Sequence, residues 1–190
     1  MPALATPLDA KARLVQILKQ RSVIVGETFS LASGRTSDFY CNLKPTMLDP
    51  EGAWLIGHLV CDALSQIKAD AIGGLELGAV PLATVVAAVS HAKGRPLPAF
   101  LVRKQSKDHG TKSLVEGLRR GETLAGRRVV IIDDVMTTGG SSMKAVAAVQ
   151  AEGATVAHVI AVVDREEGAA ATFKAAGLPF SALLTAAQLR

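Results

Sequence analysis

From residue 50 onward, segments with helical spacing alternate with short runs that are apolar at nearly every position. A run such as VVII has no polar face to turn to water, so it must be covered on both sides. Helices supply that cover, and the alternation predicts an α/β fold with a central parallel sheet flanked by helices. The spacing predicts a helix over 50–67, a strand over 70–74, a helix over 80–91 and strands over 98–103 and 127–133. A helix over 141–152, a strand over 154–163, a helix over 167–176 and a strand over 179–184 follow. Nearer the start, Leu14, Val15, Ile17 and Leu18 give a helix over 9–20, with Asp9 placed to cap it. The pieces VIV, ETFSLAS and SDFYCN are rich in β-branched and aromatic residues, and SGRTS supplies turn chemistry, so they predict a small antiparallel ribbon. At 190 residues, without a repeat or a linker, residues 1–190 should form a single domain.

Composition narrows the class. An apolar fraction of 49% against 20% charged residues describes a globular chain rather than a disordered one. The net charge of +4 is mild, but Arg103, Lys104 and Lys107 crowd together, which suits an anionic ligand. A base-stacking stripe of aromatic and basic residues and a zinc spacing are both missing, so no nucleic-acid partner is expected. The longest apolar stretch, AIGGLELGAVPLATVVAAVS, is broken by Glu76, Pro81 and glycines, so no membrane partner is expected either. Cys41 and Cys61 lack a CxxC spacing and the N-terminus does not resemble an export signal, which predicts reduced thiols in the cytoplasm. His58, His91 and His158 share no ligand spacing, and Trp54 lies on a predicted helix face as a core or interface residue.

The most informative segment is RRVVIIDDVMTTGGSS, residues 127–142. Asp133 and Asp134 arrive where the apolar strand reaches the carboxyl edge of the sheet, where open α/β folds hold their ligands. In the residues that follow, Gly139 and Gly140 let backbone amides turn inward, and Thr137, Thr138 and Ser141 add hydroxyls around a helix start. That arrangement suits a phosphate monoester without a lysine, while carboxylates beside it suit a vicinal diol. Adjacent strand residues face opposite ways, so the acid pair should divide its work unless the strand stops before Asp134. The blander readings are a capped helix start and an acidic turn. A P-loop nucleotidase is disfavoured because no GxxxxGK[ST] exists in the chain.

VVIIDDVMTTGGSS resembles the motif that binds phosphoribosyl diphosphate (PRPP) in the type I phosphoribosyltransferases. The resemblance implies that Asp133 and Asp134 meet the ribose while the loop from Val135 and Met136 through Ser141 holds the 5-phosphate. A second segment, LVRKQSKDHG at 101–110, opens a polar stretch over about 104–126 too long for an ordinary connection, which reads as a lid or as disorder. Its Arg103, Lys104, Lys107 and His109 are similar to the mobile catalytic loop of orotate phosphoribosyltransferases, although a solvated surface loop is the plain alternative. That likeness implies catalytic roles for Lys107, Asp133 and Asp134, PRPP contacts from all four loop residues, and a homodimer with shared active sites. It carries Arg165 in VVDREEG, and Thr137, over as orotate contacts; pairing of Arg165 with Glu166 or Glu167 is the alternative. Residues about 1–45, with Phe39 and Tyr40 after SGRTS, resemble the family's hood. Two positions depart from many members, with Ala32 and Gly78 standing where they carry lysines; the Gly78–Ala79 backbone can still offer amides to a diphosphate.

The activity so implied is transfer of the phosphoribosyl group from PRPP to orotate, with Mg²⁺ held mostly by substrate oxygens and water and no metal site made wholly of protein. Its rivals are a transferase for another base and a non-catalytic PRPP-sensing regulator.

Overall fold

The computed structural model describes residues 6–30, 36–105 and 113–190. The first helix, α1 (Pro7–Arg21), is capped by Thr6 rather than by Asp9. Proline needs no N–H partner in a first turn, so the helix begins one turn earlier than the Asp9 reading. The Asp9 N–H donates to the Thr6 hydroxyl at 3.4 Å, and that hydroxyl donates back to the Asp9 carboxylate at 2.8 Å. The helix buries Leu14, Ile17 and Leu18.

The ribbon is antiparallel as expected, but VIV and ETFS form one strand, β1 (Val23–Ser30), not two. It pairs with β2 (Thr36–Cys41) and is irregular between Val25 and Phe29, so a kink absorbs the break that the sequence suggested. A one-turn helix α2 (Lys44–Met47) leads to α3 (Pro50–Ala63), which Asp49 caps through the amides of Glu51 and Gly52. This helix stops short of residue 67. Tight turns through Leu64 and Ile67, together with Arg95 donating to the Ser65 carbonyl at 2.6 Å, end it while keeping both apolar residues against the core.

The central sheet holds β3 (Ala71–Leu75), β4 (Ala99–Val102), β5 (Val115–Glu116), β6 (Arg128–Met136), β7 (Thr155–Asp164) and β8 (Phe180–Thr185), in the order β5-β4-β3-β6-β7-β8. All pairs are parallel except the β4–β5 edge. Helix α4 (Ala79–Ala92) connects β3 to β4, α5 (Gly140–Ala151) connects β6 to β7, α6 (Ala169–Ala175) connects β7 to β8, and α7 (Ala186–Leu189) follows β8. One face of the sheet packs against α1, α3 and α4 through residues such as Val130, Ile132 and Val162; the other packs against α5 and α6 through Val129, Ile131, Val159 and Phe173. Alternation along β6 therefore feeds two cores, and each buried Ile or Phe contributes about 1.5–3 kcal/mol of transfer energy. Among the described residues no helix is long and apolar enough to cross a membrane.

Part of the long polar stretch is ordered against the sheet. Residues 113–126 return along the sheet edge, where Val115 forms β5 with Val102 and Leu124 is fully buried. Val115 and Leu124, with Leu114 and Leu118 packed beside them, hold this stretch to the core despite its charges.

Candidate active site

The chain crosses from β3 to β4 on one side of the sheet and from β6 to β7 on the other, so α4 and α5 leave in opposite directions. The carboxyl ends of β3 and β6 thus flank the point where the strand order reverses, the place at which such sheets open a crevice for ligands. Strand β6 reaches Met136, three residues beyond the 127–133 expected, because Val135 pairs with Val163 and Met136 with Asp164. The acid pair therefore lies within the strand, and the carboxylates go to opposite faces.

Asp133 turns towards α5. Its Oδ2 accepts from the Ser142 hydroxyl at 2.7 Å and its Oδ1 from the Asp134 N–H at 3.0 Å. Burial pushes its carboxyl up to about 6, with the Ser142 hydrogen bond opposing and the neighbouring Asp134 charge adding to the rise. Asp134 turns to the other side, where its Oδ1 accepts from the Val135 N–H at 2.9 Å. A Cβ placed on Gly78 would sit 2.6 Å from that same oxygen. Glycine at 78 therefore lets the β3–α4 loop close over the carboxylate.

The loop after β6 is turned by its carbonyls. Those of Met136, Thr137 and Thr138 accept from the Arg165 N–H at 2.8 Å, the Ala169 N–H at 3.2 Å and the Thr172 hydroxyl at 2.8 Å. Gly139 stands at the α5 N-cap with φ +86°, and a Cβ there would come within 3.0 Å of Phe173 Cζ. No side chain caps α5 and its first turn holds no acid. The leading amides of Gly140, Ser141 and Ser142 thus lack an acceptor within the helix, which favours an anion at this end. Gly140 and Ser141 are exposed, Thr137 is half-buried and Thr138 is exposed. Ser142, which orients Asp133, was not singled out in the sequence; its signal was the second serine of GGSS, one helical turn from Gly139 and facing back onto the strand.

Arg103 lies at the base of the long loop, donating its N–H to the Leu114 carbonyl at 2.9 Å and its Nη1 to Glu116 at 3.2 Å. The Lys104 N–H donates to Glu76 Oε1 at 2.8 Å, joining this loop to the one that contains Gly78, while the Lys104 side chain is exposed. Lys107, His109 and Ala32 lie outside the described residues.

On the hood side, Arg165 pairs with Glu167 at 2.7 Å and donates to the Phe39 carbonyl at 3.3 Å, its guanidinium 5.6 Å from the Phe39 ring centre. The alternative pairing with Glu167 is thus present, and it holds Arg165 against the ribbon. Cys41, whose thiol burial pushes up to about 12, feels the charges of both Asp134 and Arg165, so the end of the ribbon lies over this corner.

Residues 48–175 match the phosphoribosyl transferase domain family. The chain is 59% identical over 179 residues to an orotate phosphoribosyltransferase of Bradyrhizobium diazoefficiens, covering 94% of this chain and 95% of that protein. The chain belongs to the orotate phosphoribosyltransferase family. A solved orotate phosphoribosyltransferase from Mycobacterium tuberculosis H37Rv superposes with a TM-score of 0.82 at 39% identity, covering 95% of this chain and 98% of that one. The same Mycobacterium enzyme in complex with PRPP gives a TM-score of 0.78 at 37% identity, with the same coverage. The family fold therefore spans nearly the whole chain. An adenine phosphoribosyltransferase from Leishmania donovani, at 20% identity and a TM-score of 0.67, shares the fold alone.

Trp54 is half-buried against the core and lies 4.3 Å from the His58 ring, while His158 bonds the Ser181 hydroxyl at 2.7 Å. A cavity of about 550 Å³ opens at the opposite edge of the sheet, lined by Cys61, Lys93 and Arg95 among others. It contains none of the motif residues, and its cations are engaged, Lys93 with Asp62 and Arg95 with the Ser65 carbonyl.

Proposed function

We propose that this chain transfers the 5-phosphoribosyl group from PRPP to orotate, giving orotidine 5'-monophosphate and diphosphate in pyrimidine biosynthesis. The observation that carries the reading is the 59% identity to an orotate phosphoribosyltransferase over nearly the whole of both chains. The acid pair and glycine loop at the crevice supply the matching chemistry.

In this reading Asp133 and Asp134 accept hydrogen bonds from the ribose hydroxyls. The backbone from Val135 and Met136 through Thr137, Thr138, Gly139, Gly140 and Ser141 cradles the 5-phosphate at the start of α5. Arg103, Lys104, Lys107 and His109 serve the diphosphate, and Arg165 with Thr137 meets the orotate carboxylate, a group most rival bases lack. The bond from C1 to diphosphate breaks through a transition state of oxocarbenium character, and the deprotonated N1 of orotate forms the new bond from the opposite face. The protein supplies position, charge and exclusion of water rather than a nucleophile.

Mg²⁺ fits this site. Two hard carboxylates stand at the end of β6, with Asp133 braced by Ser142, a donor pair that suits an ion keeping most of its coordination for substrate oxygens and water. Asp133 and Asp134 would meet it with the ribose hydroxyls, and it would neutralise charge on the departing diphosphate.

We further read residues 1–190 as one domain acting as a cytoplasmic homodimer in which the loop of one subunit serves its partner's site, with neither nucleic acid nor membrane as partner. The dimer rests on the resemblance of the 103–109 loop. Neither cysteine is in a disulfide, in keeping with a reducing compartment.

The test is loss of orotate absorbance on mixing with PRPP and Mg²⁺. Turnover of uracil or hypoxanthine instead would move the acceptor and leave the donor. PRPP binding without turnover of any base would make the chain a sensor.

A further inference from the structure

Arg190, which follows α7, reaches back to the hood. Its Nη1 and Nη2 meet the two Asp38 oxygens at 3.0 and 2.9 Å, a two-pronged pair, and its carbonyl accepts from Lys19 Nζ at 2.8 Å. Its guanidinium lies 5.2 Å from the centre of the Phe39 ring, the same ring that Arg165 approaches at 5.6 Å. Phe39 is only 1% exposed. Glu167, the partner of Arg165, also lies close enough to Arg190 to favour its charged form. Among the described residues, two guanidiniums and two carboxylates therefore gather around one buried ring.

An isolated exposed ion pair contributes little. This one differs because it is forked, stacked on an aromatic ring and continuous through that ring with a buried arginine at the site. We propose that Arg190 is a positioning residue for the acceptor. Through Asp38 and Phe39 it fixes the Arg165 guanidinium in the place where an incoming carboxylate would meet it. The inference rests on the reading that Arg165 meets the orotate carboxylate.

Steady-state kinetics on the full chain separate the two ideas. Arg190→Ala raises the orotate KM about tenfold, with the PRPP KM and kcat within about twofold of the parent. Arg190→Lys recovers part of the loss, since it keeps charge without the planar fork. Arg165→Gln raises the orotate KM further, and adding Arg190→Ala to it changes nothing more, because Arg190 acts only through Arg165. An unchanged orotate KM in Arg165→Gln would overturn the acceptor role of Arg165 and this inference with it. If Arg165→Gln is impaired but Arg190→Ala is not, or if the two losses multiply, the positioning role alone falls. A parallel rise in both KM values with a lower thermal midpoint would reduce Arg190 to a structural brace.

Discussion

Burial sets the titration of Asp133, and a single hydroxyl, that of Ser142, holds it down. Asp133 lies near an ordinary value of 3.8 when unfolded and at about 6 when folded, so the native state holds its proton the more tightly. Its buried charge therefore costs stability above about pH 6, and that cost fades as pH falls towards the unfolded value. Activity runs the other way, because only the carboxylate accepts from two ribose hydroxyls. The rate with limiting PRPP should fall below about pH 6, and Ser142→Ala, which removes the bond that favours the charged form, should move that limb to higher pH. We expect the variant to lie within about twofold of the parent at pH 8 and roughly threefold further down at pH 6. A pH profile of kcat/KM for PRPP decides it, and superimposable limbs would show that Asp133 is not the titrating group. Gly139 is decided by sterics instead. At φ +86°, with Phe173 against the missing Cβ, Gly139→Ala should lower stability by about 1–2 kcal/mol and raise the PRPP KM several-fold. Thermal unfolding and initial rates measure both; an unshifted KM would mean the loop does not hold the phosphate.

Elements that a purely local signal specifies were legible in the sequence, and those set by tertiary contacts were not. VVII, GGSS and the apolar stripe of 80–91 each fix an element alone, because period and glycine chemistry operate within a few residues. The end of β6 was misplaced because its last residues are held by pairing with Val163 and Asp164, partners 28 residues along the chain that no local pattern reports. Likewise β5 consists of two residues held extended by pairing with the edge of β4, which no local pattern reports. Within the candidate site, the place of the acid pair and the glycine loop at a strand-to-helix junction was readable from order and spacing, whereas the brace from Ser142 and the approach of Arg165 to Phe39 needed the folded geometry. Gly78 is the instructive departure. The resemblance leads to the expectation of a lysine here, yet any Cβ at this position would meet Asp134 at 2.6 Å. Gly78→Ala should turn the Asp134 carboxylate aside and raise the PRPP KM about fivefold, with stability changed by less than about 1 kcal/mol, since only the end of a short side chain must move. An unaltered KM would show that Asp134 tolerates displacement.

At the scale of the whole molecule, the proposed role of Lys107 can be served within a subunit or across a dimer, and the two predict different arithmetic. Lys107→Ala and Asp133→Asn should each lower kcat by about a hundredfold or more, the usual loss for a charge contact made at the transition state. If the loop of one subunit serves the other, a mixed dimer joins the intact Asp133 of the first variant to the intact Lys107 of the second. Its other site is doubly impaired. Random exchange between equal amounts puts half the subunits in mixed dimers with one working site in two, so activity should recover to about one quarter of the parent. A loop acting within its own subunit leaves every site with one defect, and mixing restores nothing. Sedimentation of the parent establishes the dimer independently, so failure to recover in a proven dimer would reject the shared site, while a monomer that turns over orotate would reject the dimer and leave the chemistry of the acid pair intact.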